Sequence, residues 1–149
     1  MKFLKNQAFG FYAEAVAIIA ELVGFVFYFL NGKTATYGNL QINLVTTVGG
    51  VIGILLAIFI IAASGKVSEN KGLRWVVDIA HLAVGILFTW GLAVFIADRV
   101  NLFASVLTFN KNAQTLADTQ SAIYAIVALL VAVVAAVAAS FTRVNKSED

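Results

Sequence analysis

Along residues 10–28 the small and polar positions recur at alternating spacings of four and three: Gly10, Glu14, Ala17, Glu21, Gly24 and Tyr28. At 3.6 residues per turn those spacings stay on one side of a helix. The seven residues from Glu14 to Glu21 make nearly two turns, so both carboxylates point almost the same way. Val16, Ile18, Ile19, Val23, Phe25, Val26 and Phe27 form the opposite, apolar face. The length and hydrophobicity of this stretch predict a membrane-spanning helix. A carboxylate facing hydrocarbon is costly, so the polar stripe is expected to face other helices or water, and the apolar face lipid.

The same reading predicts three further spans. The four run over residues 8–30, 42–64, 76–97 and 121–142, each close to the ~20 residues that cross a hydrocarbon core. Between them lie a turn-rich polar connection at 31–41, a short charged loop at 65–75 and a longer loop at 98–120. Residues 100–109 of that last loop are apolar enough to lie in the interface or to extend the helix. The expected fold class is all-α: a polytopic membrane protein, four transmembrane helices in one bundle, forming a single domain. No long internal repeat is visible, so an inverted-repeat transporter within one chain is not expected.

Composition agrees. The chain has 149 residues, 61% hydrophobic and 12% charged, with mean hydropathy +0.92. Soluble domains are about 45–50% apolar and about 25% charged. There is no cysteine, which removes disulfides, thiolate metal sites and cysteine nucleophiles, and no proline to kink a helix. At the N-terminus, Glu14 and Glu21 interrupt what would be the apolar core of a signal peptide, and no convincing cleavage site follows. The first span is therefore expected to be retained.

A formal charge of +2 is too small to indicate nucleic acid, but its distribution sets an orientation. Lys2, Lys5, Lys66, Lys71, Arg74, Arg143 and Lys146 fall on one side of the predicted membrane; Lys33, Arg99 and Lys111 fall on the other. The positive-inside rule then puts both termini in the cytoplasm, with the protein in the plasma (inner) membrane. Tyr12, Tyr37 and Trp75 are expected interface anchors. The Asn145-Lys146-Ser147 glycosylation pattern lies on the predicted cytoplasmic side and carries no weight.

Two spans carry small residues four apart, which let helix backbones approach closely. In span two these are Gly49, Gly53 and Ala57, with Thr46 and Gly50 alongside; in span four, Ala128, Ala132, Ala136 and Ser140. Packing within the bundle is the favoured role, homo-oligomerisation the alternative.

The remaining ionisable groups within the spans are in span three. Asp78 and His81 share a face with Gly85 and Thr89, and Arg74, four residues before Asp78, is placed to pair with it. Counting ~1.5 Å per residue puts Glu14 and His81 at one depth, and Glu21 and Thr89 at another nearer the midplane. Spans one and three run parallel, so two rungs are expected: Glu14 with His81, and Glu21 with Thr89. Glu14 and His81 would share a proton or form an ion pair. Glu21, with no basic partner at its depth, would be protonated or face a hydrated cavity. Such hydrogen bonds also serve simply to fix helix register, contributing about 0.6 kcal/mol on average.

Other chemistry finds less support. Glu14, Asp78 and His81 match a non-haem iron or zinc site in ligand type, but plain ion pairs use the same side chains, and no metal or cofactor is expected. A single histidine excludes bis-histidine haem within one chain. Ser64, Ser68 and Ser105 lack a nucleophile motif, and phosphate-binding glycine loops are absent, so no enzyme activity is expected. Ala20-Glu21-Leu22-Val23-Gly24 resembles the first helix of small multidrug-resistance transporters, where a membrane glutamate binds drug and proton. The likeness covers five residues; the other spans lack that family's motifs, and the one-sided charge argues against a dual-topology dimer.

Two functions remain: a proton- or cation-responsive transport or channel component using Glu21, Glu14 and His81, or a non-catalytic accessory subunit docking on a larger membrane complex through its small-residue faces. The expected partners are the lipid bilayer and either further copies of the chain or that larger complex.

Overall fold

The computed structural model describes residues 7–146. Lys2, Lys5 and Ser147, which entered the reading above, lie outside the described residues, and the side chains of Ser68 and Glu69 are likewise not described. The described chain is helical: α1 Phe9–Asn31, α2 Leu44–Ala63, α3 Lys71–Thr108 and α4 Ala113–Ser140, with a 3₁₀ turn at Ser64–Glu69. All four long helices are long and apolar enough to cross a membrane.

The helix starts follow from local chemistry. The Asn43 side chain accepts from Val45 N–H at the head of α2, and Asn70 accepts from Gly72 and Leu73 N–H at the head of α3. Asn112 and Thr115 form a reciprocal capping box at the head of α4. Helix α1 has no side-chain cap; instead Ala8 and Gly10 N–H donate to the Val144 and Arg143 carbonyls at 3.0 and 2.9 Å, joining the start of α1 to the segment that follows α4. Gly10 makes this possible, because a Cβ there would lie 2.6 Å from the Arg143 carbonyl oxygen.

The helices run beyond the expected membrane spans at several ends. Helix α3 begins at Lys71, inside the expected 65–75 loop, and runs unbroken to Thr108, past the expected span end at 97, so residues 100–108 extend the helix, one of the two roles expected of that apolar stretch. Helix α4 begins at Ala113 rather than 121, so most of the predicted 98–120 loop is helical. No proline or glycine interrupts residues 92–108, and the Asn112 box restarts the helix at once.

The helices alternate in direction. α1 packs along α4, α4 along α3, and α3 along α2, with a narrower α1–α2 contact closing the ring, so α1 and α3 face each other diagonally. Small side chains set the spacing: Ala17, Ala57, Ala132 and Ala136 are almost completely buried in one core. Gly24 lies against Leu129, and Gly53 against the ring of Phe88.

The surface inverts the pattern of a soluble protein. Ile19, Leu55, Leu82 and Val134 are each at least 60% exposed, whereas Glu14, Glu21 and Arg99 are at most 2% exposed. Several expected faces shift by one position. Phe25, assigned to lipid, is buried, as is Tyr37, assigned to the interface; Tyr12 and Trp75 are exposed. On α2 the buried stripe is Thr46, Gly50, Gly53 and Ala57, and Gly49 is only half-buried. On α4, Ala132 and Ala136 are buried, Ala128 is half-buried and Ser140 is exposed.

Candidate functional site

Glu14 and His81 meet inside the bundle. The 3–4 spacing of α1 turns Gly10, Glu14, Ala17, Glu21, Gly24 and Tyr28 inward together, and all six are buried. The diagonal neighbour α3 presents His81, whose Nε2 lies 3.3 Å from Glu14 Oε1. His81 Nδ1 is 3.0 Å from the Val77 carbonyl oxygen. A carbonyl only accepts, so Nδ1 carries a hydrogen and Nε2 is the nitrogen that gains or loses a proton toward Glu14. Among the described residues neither Glu14 oxygen has a hydrogen-bond partner that would compete for that proton. His81 Nε2 likewise has no hydrogen-bond partner there, so the 3.3 Å contact is a close approach of acid and base rather than a formed hydrogen bond. Two charge states are open to the pair: carboxylic acid beside neutral imidazole, or carboxylate beside imidazolium.

Glu21 sits two turns further along α1, about 10 Å away along the axis. It faces the α2 backbone at Gly50, where any Cβ would press on Glu21 Oε1 and the Phe25 ring. Its Oε2 is buried without a hydrogen-bond partner among the described residues. The second expected rung is not formed. Thr89 is exposed, and Phe88 takes the inward place. Eight residues from His81 turn a helix about 80° past two full turns, while seven fall only about 20° short, so the stripe passes through position 88.

Arg74 and Asp78 are both exposed, and among the described residues they form no ion pair with each other. They line a polar groove of about 320 Å³ with Thr142, Arg143 and His81, at the end of the bundle where α1 begins and α4 finishes. Groups of three metal-ligating side chains are absent among the described residues, so Asp78 does not join Glu14 and His81.

The opposite end of the bundle holds a network that the sequence reading missed. Arg99, assigned to the polar flank with Lys33 and Lys111, is 1% exposed. Its Nε donates to Asn31 Oδ1 at 2.9 Å, and its guanidinium rests over the rings of Phe95 and Tyr28, 4.1 and 5.0 Å from their centroids. Asn31 Nδ2 donates to the Asp118 carbonyl at 3.2 Å and to Ser121 Oγ at 3.1 Å. Asp118 in turn accepts from Thr36 N–H and Oγ1 at 3.0 and 2.7 Å, and from Gln114 at 2.7 Å. Thr119 Oγ1 gives its hydrogen to the Thr115 carbonyl, so Tyr37 is the donor in its 2.9 Å bond to Thr119. The network ties α1, α3, α4 and the 32–43 connection together.

A signal for Arg99 was present. Continuing the His81 stripe at spacings of three and four gives Val84, Phe88, Leu92, Phe95 and Arg99, all buried. Ending the expected span at residue 97 places Arg99 in the following loop instead.

No protein-family profile, curated protein or solved structure matches the chain.

Proposed function

We propose that this chain is a proton-responsive component of a membrane transport or channel system, embedded with both termini in the cytoplasm. The observation that carries the reading is the Glu14–His81 pair: an acid and a base 3.3 Å apart, enclosed in a bundle whose outer surface is apolar. Ionisable groups are expensive in such surroundings, and where they persist they typically mark a proton or ion pathway. His81 borders the polar groove at the end where α1 begins, which gives water an approach to one member of the pair. Glu21, deeper and without a basic partner, is the second proton site. The Arg99 network closes the far end, and a fixed positive charge there opposes passage of cations. Protons therefore reach the pair from the cytoplasmic side, and passage across the membrane requires the far end to open.

The test is proton or cation flux in proteoliposomes. Glu21→Gln keeps shape and hydrogen-bonding capacity but removes the titratable proton, so the variant should fold and insert while flux is lost. Flux equal to wild type in Glu21→Gln, or no flux in wild type, refutes the transport reading.

A second reading, an accessory subunit, rests on half-buried Gly49. It floors an apolar groove of about 430 Å³ with Val45, Val48, Ile52 and Leu87, a shape that admits a helix from another membrane protein. Under that reading Glu21→Gln leaves assembly and activity of the complex intact.

A further inference from the structure

Tryptophan in membrane proteins gathers at the interface, where its indole N–H finds an acceptor. Trp90 departs from this. Residue 90 lies about 5 Å from the middle of the expected 76–97 span, well short of the about 15 Å to the edge of the hydrocarbon core. The side chain is nevertheless 57% exposed on the outside of α3. Beside it Thr89 is exposed as well, and among the described residues neither side chain has a hydrogen-bond partner. Lipid tails offer none. An indole only donates and a hydroxyl also accepts, so the two groups complement each other. They cannot meet on one helix, because neighbouring residues point about 100° apart.

Across two copies they can. Thr89 and Trp90 flank a line along α3 marked by Ile86, Ala93 and Ala97, all exposed. Ala93 and Ala97 are small enough to let a second helix approach that line closely. When two copies with the same orientation in the membrane pair along it, a two-fold axis relates them. A residue on one flank then faces the residue on the opposite flank of the other copy. Trp90 of each chain meets Thr89 of its mate, and both unpartnered groups are satisfied twice over. The match is self-complementary, so a second copy completes it without any other protein.

We propose that the chain forms a symmetric dimer through α3, in which the Trp90 indole N–H of each copy donates to Thr89 Oγ1 of the other. The proposal rests on the membrane-embedded reading given above. The Glu14–His81 pair is complete within one chain, so the dimer carries two such pairs.

The chain has no cysteine of its own, which makes the interface easy to probe. Ala93→Cys places a sole thiol on the line between the copies; Val26→Cys places one on α1, where Val26 is 57% exposed. Each full-length variant is reconstituted in phosphatidylcholine vesicles and oxidised with copper phenanthroline. Ala93→Cys should form disulfide-linked dimers several-fold faster than Val26→Cys. Energy transfer between labelled copies, titrated against the protein-to-lipid ratio, then measures affinity. Thr89→Val should weaken dimerisation roughly eightfold, the loss of two hydrogen bonds of average strength between membrane helices. Adding Thr89→Val to Trp90→Phe should weaken it no further than Trp90→Phe alone, because both changes remove the same bonds. Both residues are exposed, so these replacements leave the packed core intact. Equal cross-linking of the two cysteine variants, or independent effects of Thr89→Val and Trp90→Phe, overturns the dimer while leaving the membrane reading in place. Release of the wild-type protein from the vesicles by alkaline extraction overturns the membrane reading and the dimer with it.

Discussion

Gly49 and Gly53 belong to one small-residue motif in the sequence, yet their surroundings predict opposite responses to a single methyl group. A Cβ at Gly53 would lie 2.5 Å from Phe88 Cε1 and 2.9 Å from Cδ1, well inside van der Waals contact. The ring is 1% exposed and cannot swing out of the way. Gly53→Ala therefore forces a backbone or ring displacement of the kind that costs about 1–3 kcal/mol in a packed core. At Gly49 the nearest atom is Leu87 Cδ2 at 3.8 Å, an ordinary contact. Gly49→Ala then gains helix propensity, worth up to about 1 kcal/mol, with no steric cost. The assay is thermal unfolding of the purified variants in one detergent, with Phe88→Leu added to each. Gly53→Ala should lower the melting temperature and Phe88→Leu should recover part of that loss, a coupling of about 0.5–3 kcal/mol. Gly49→Ala should match or exceed wild type, and Phe88→Leu should affect it no differently from wild type. Equal stability of the two alanine variants would refute the assigned α2–α3 packing.

Three further outcomes follow from the same geometry. Asn31→Ala strands Arg99 Nε and removes the tie to Asp118 and Ser121, so it should destabilise the protein by at least the about 1.5–3 kcal/mol of a hydrogen bond to a charged group; denaturation in detergent showing no loss would dismiss the network as a structural element. Reporter fusions after Lys66 and Lys146 should read as cytoplasmic, and an external signal from either would reverse the assigned orientation. His81→Gln leaves Glu14 buried without its base, so flux should fall, whereas Asp78→Asn at the exposed groove wall should change it much less; equal effects would remove the pair from the pathway.

How much of this was legible depended on the length of helix over which a spacing had to be extrapolated. On α1 the alternation of four and three tracks the true stripe, and all six of its residues are buried. On α3 the reading stepped 81, 85, 89, and two successive steps of four carried it off the stripe onto exposed Thr89. Keeping the alternation would have reached Phe88 and then Arg99. The ends of α3 and α4 lie beyond the expected spans for a different reason. Hydropathy marks where a helix can sit in hydrocarbon, but the backbone stays helical until a cap or breaker stops it. Here α3 and α4 start at the Asn70 and Asn112 caps, and the Asn112–Thr115 box was available to be read. Tyr37 and Asp118 were beyond such reasoning, because their burial comes from the 32–43 connection folding back on α4 through bonds between residues 82 positions apart.

The central claim is that Glu14 and Glu21 exchange protons with water from inside the bundle. Infrared difference spectroscopy on lipid-reconstituted protein, stepped between acidic and alkaline pH, reads the protonated carboxyl stretch of buried side chains directly. The account predicts pH-dependent bands from two buried carboxyls, one missing in Glu14→Gln and the other in Glu21→Gln, with His81→Gln shifting the Glu14 band and leaving that of Glu21 in place. Difference spectra of both glutamine variants identical to wild type would contradict it.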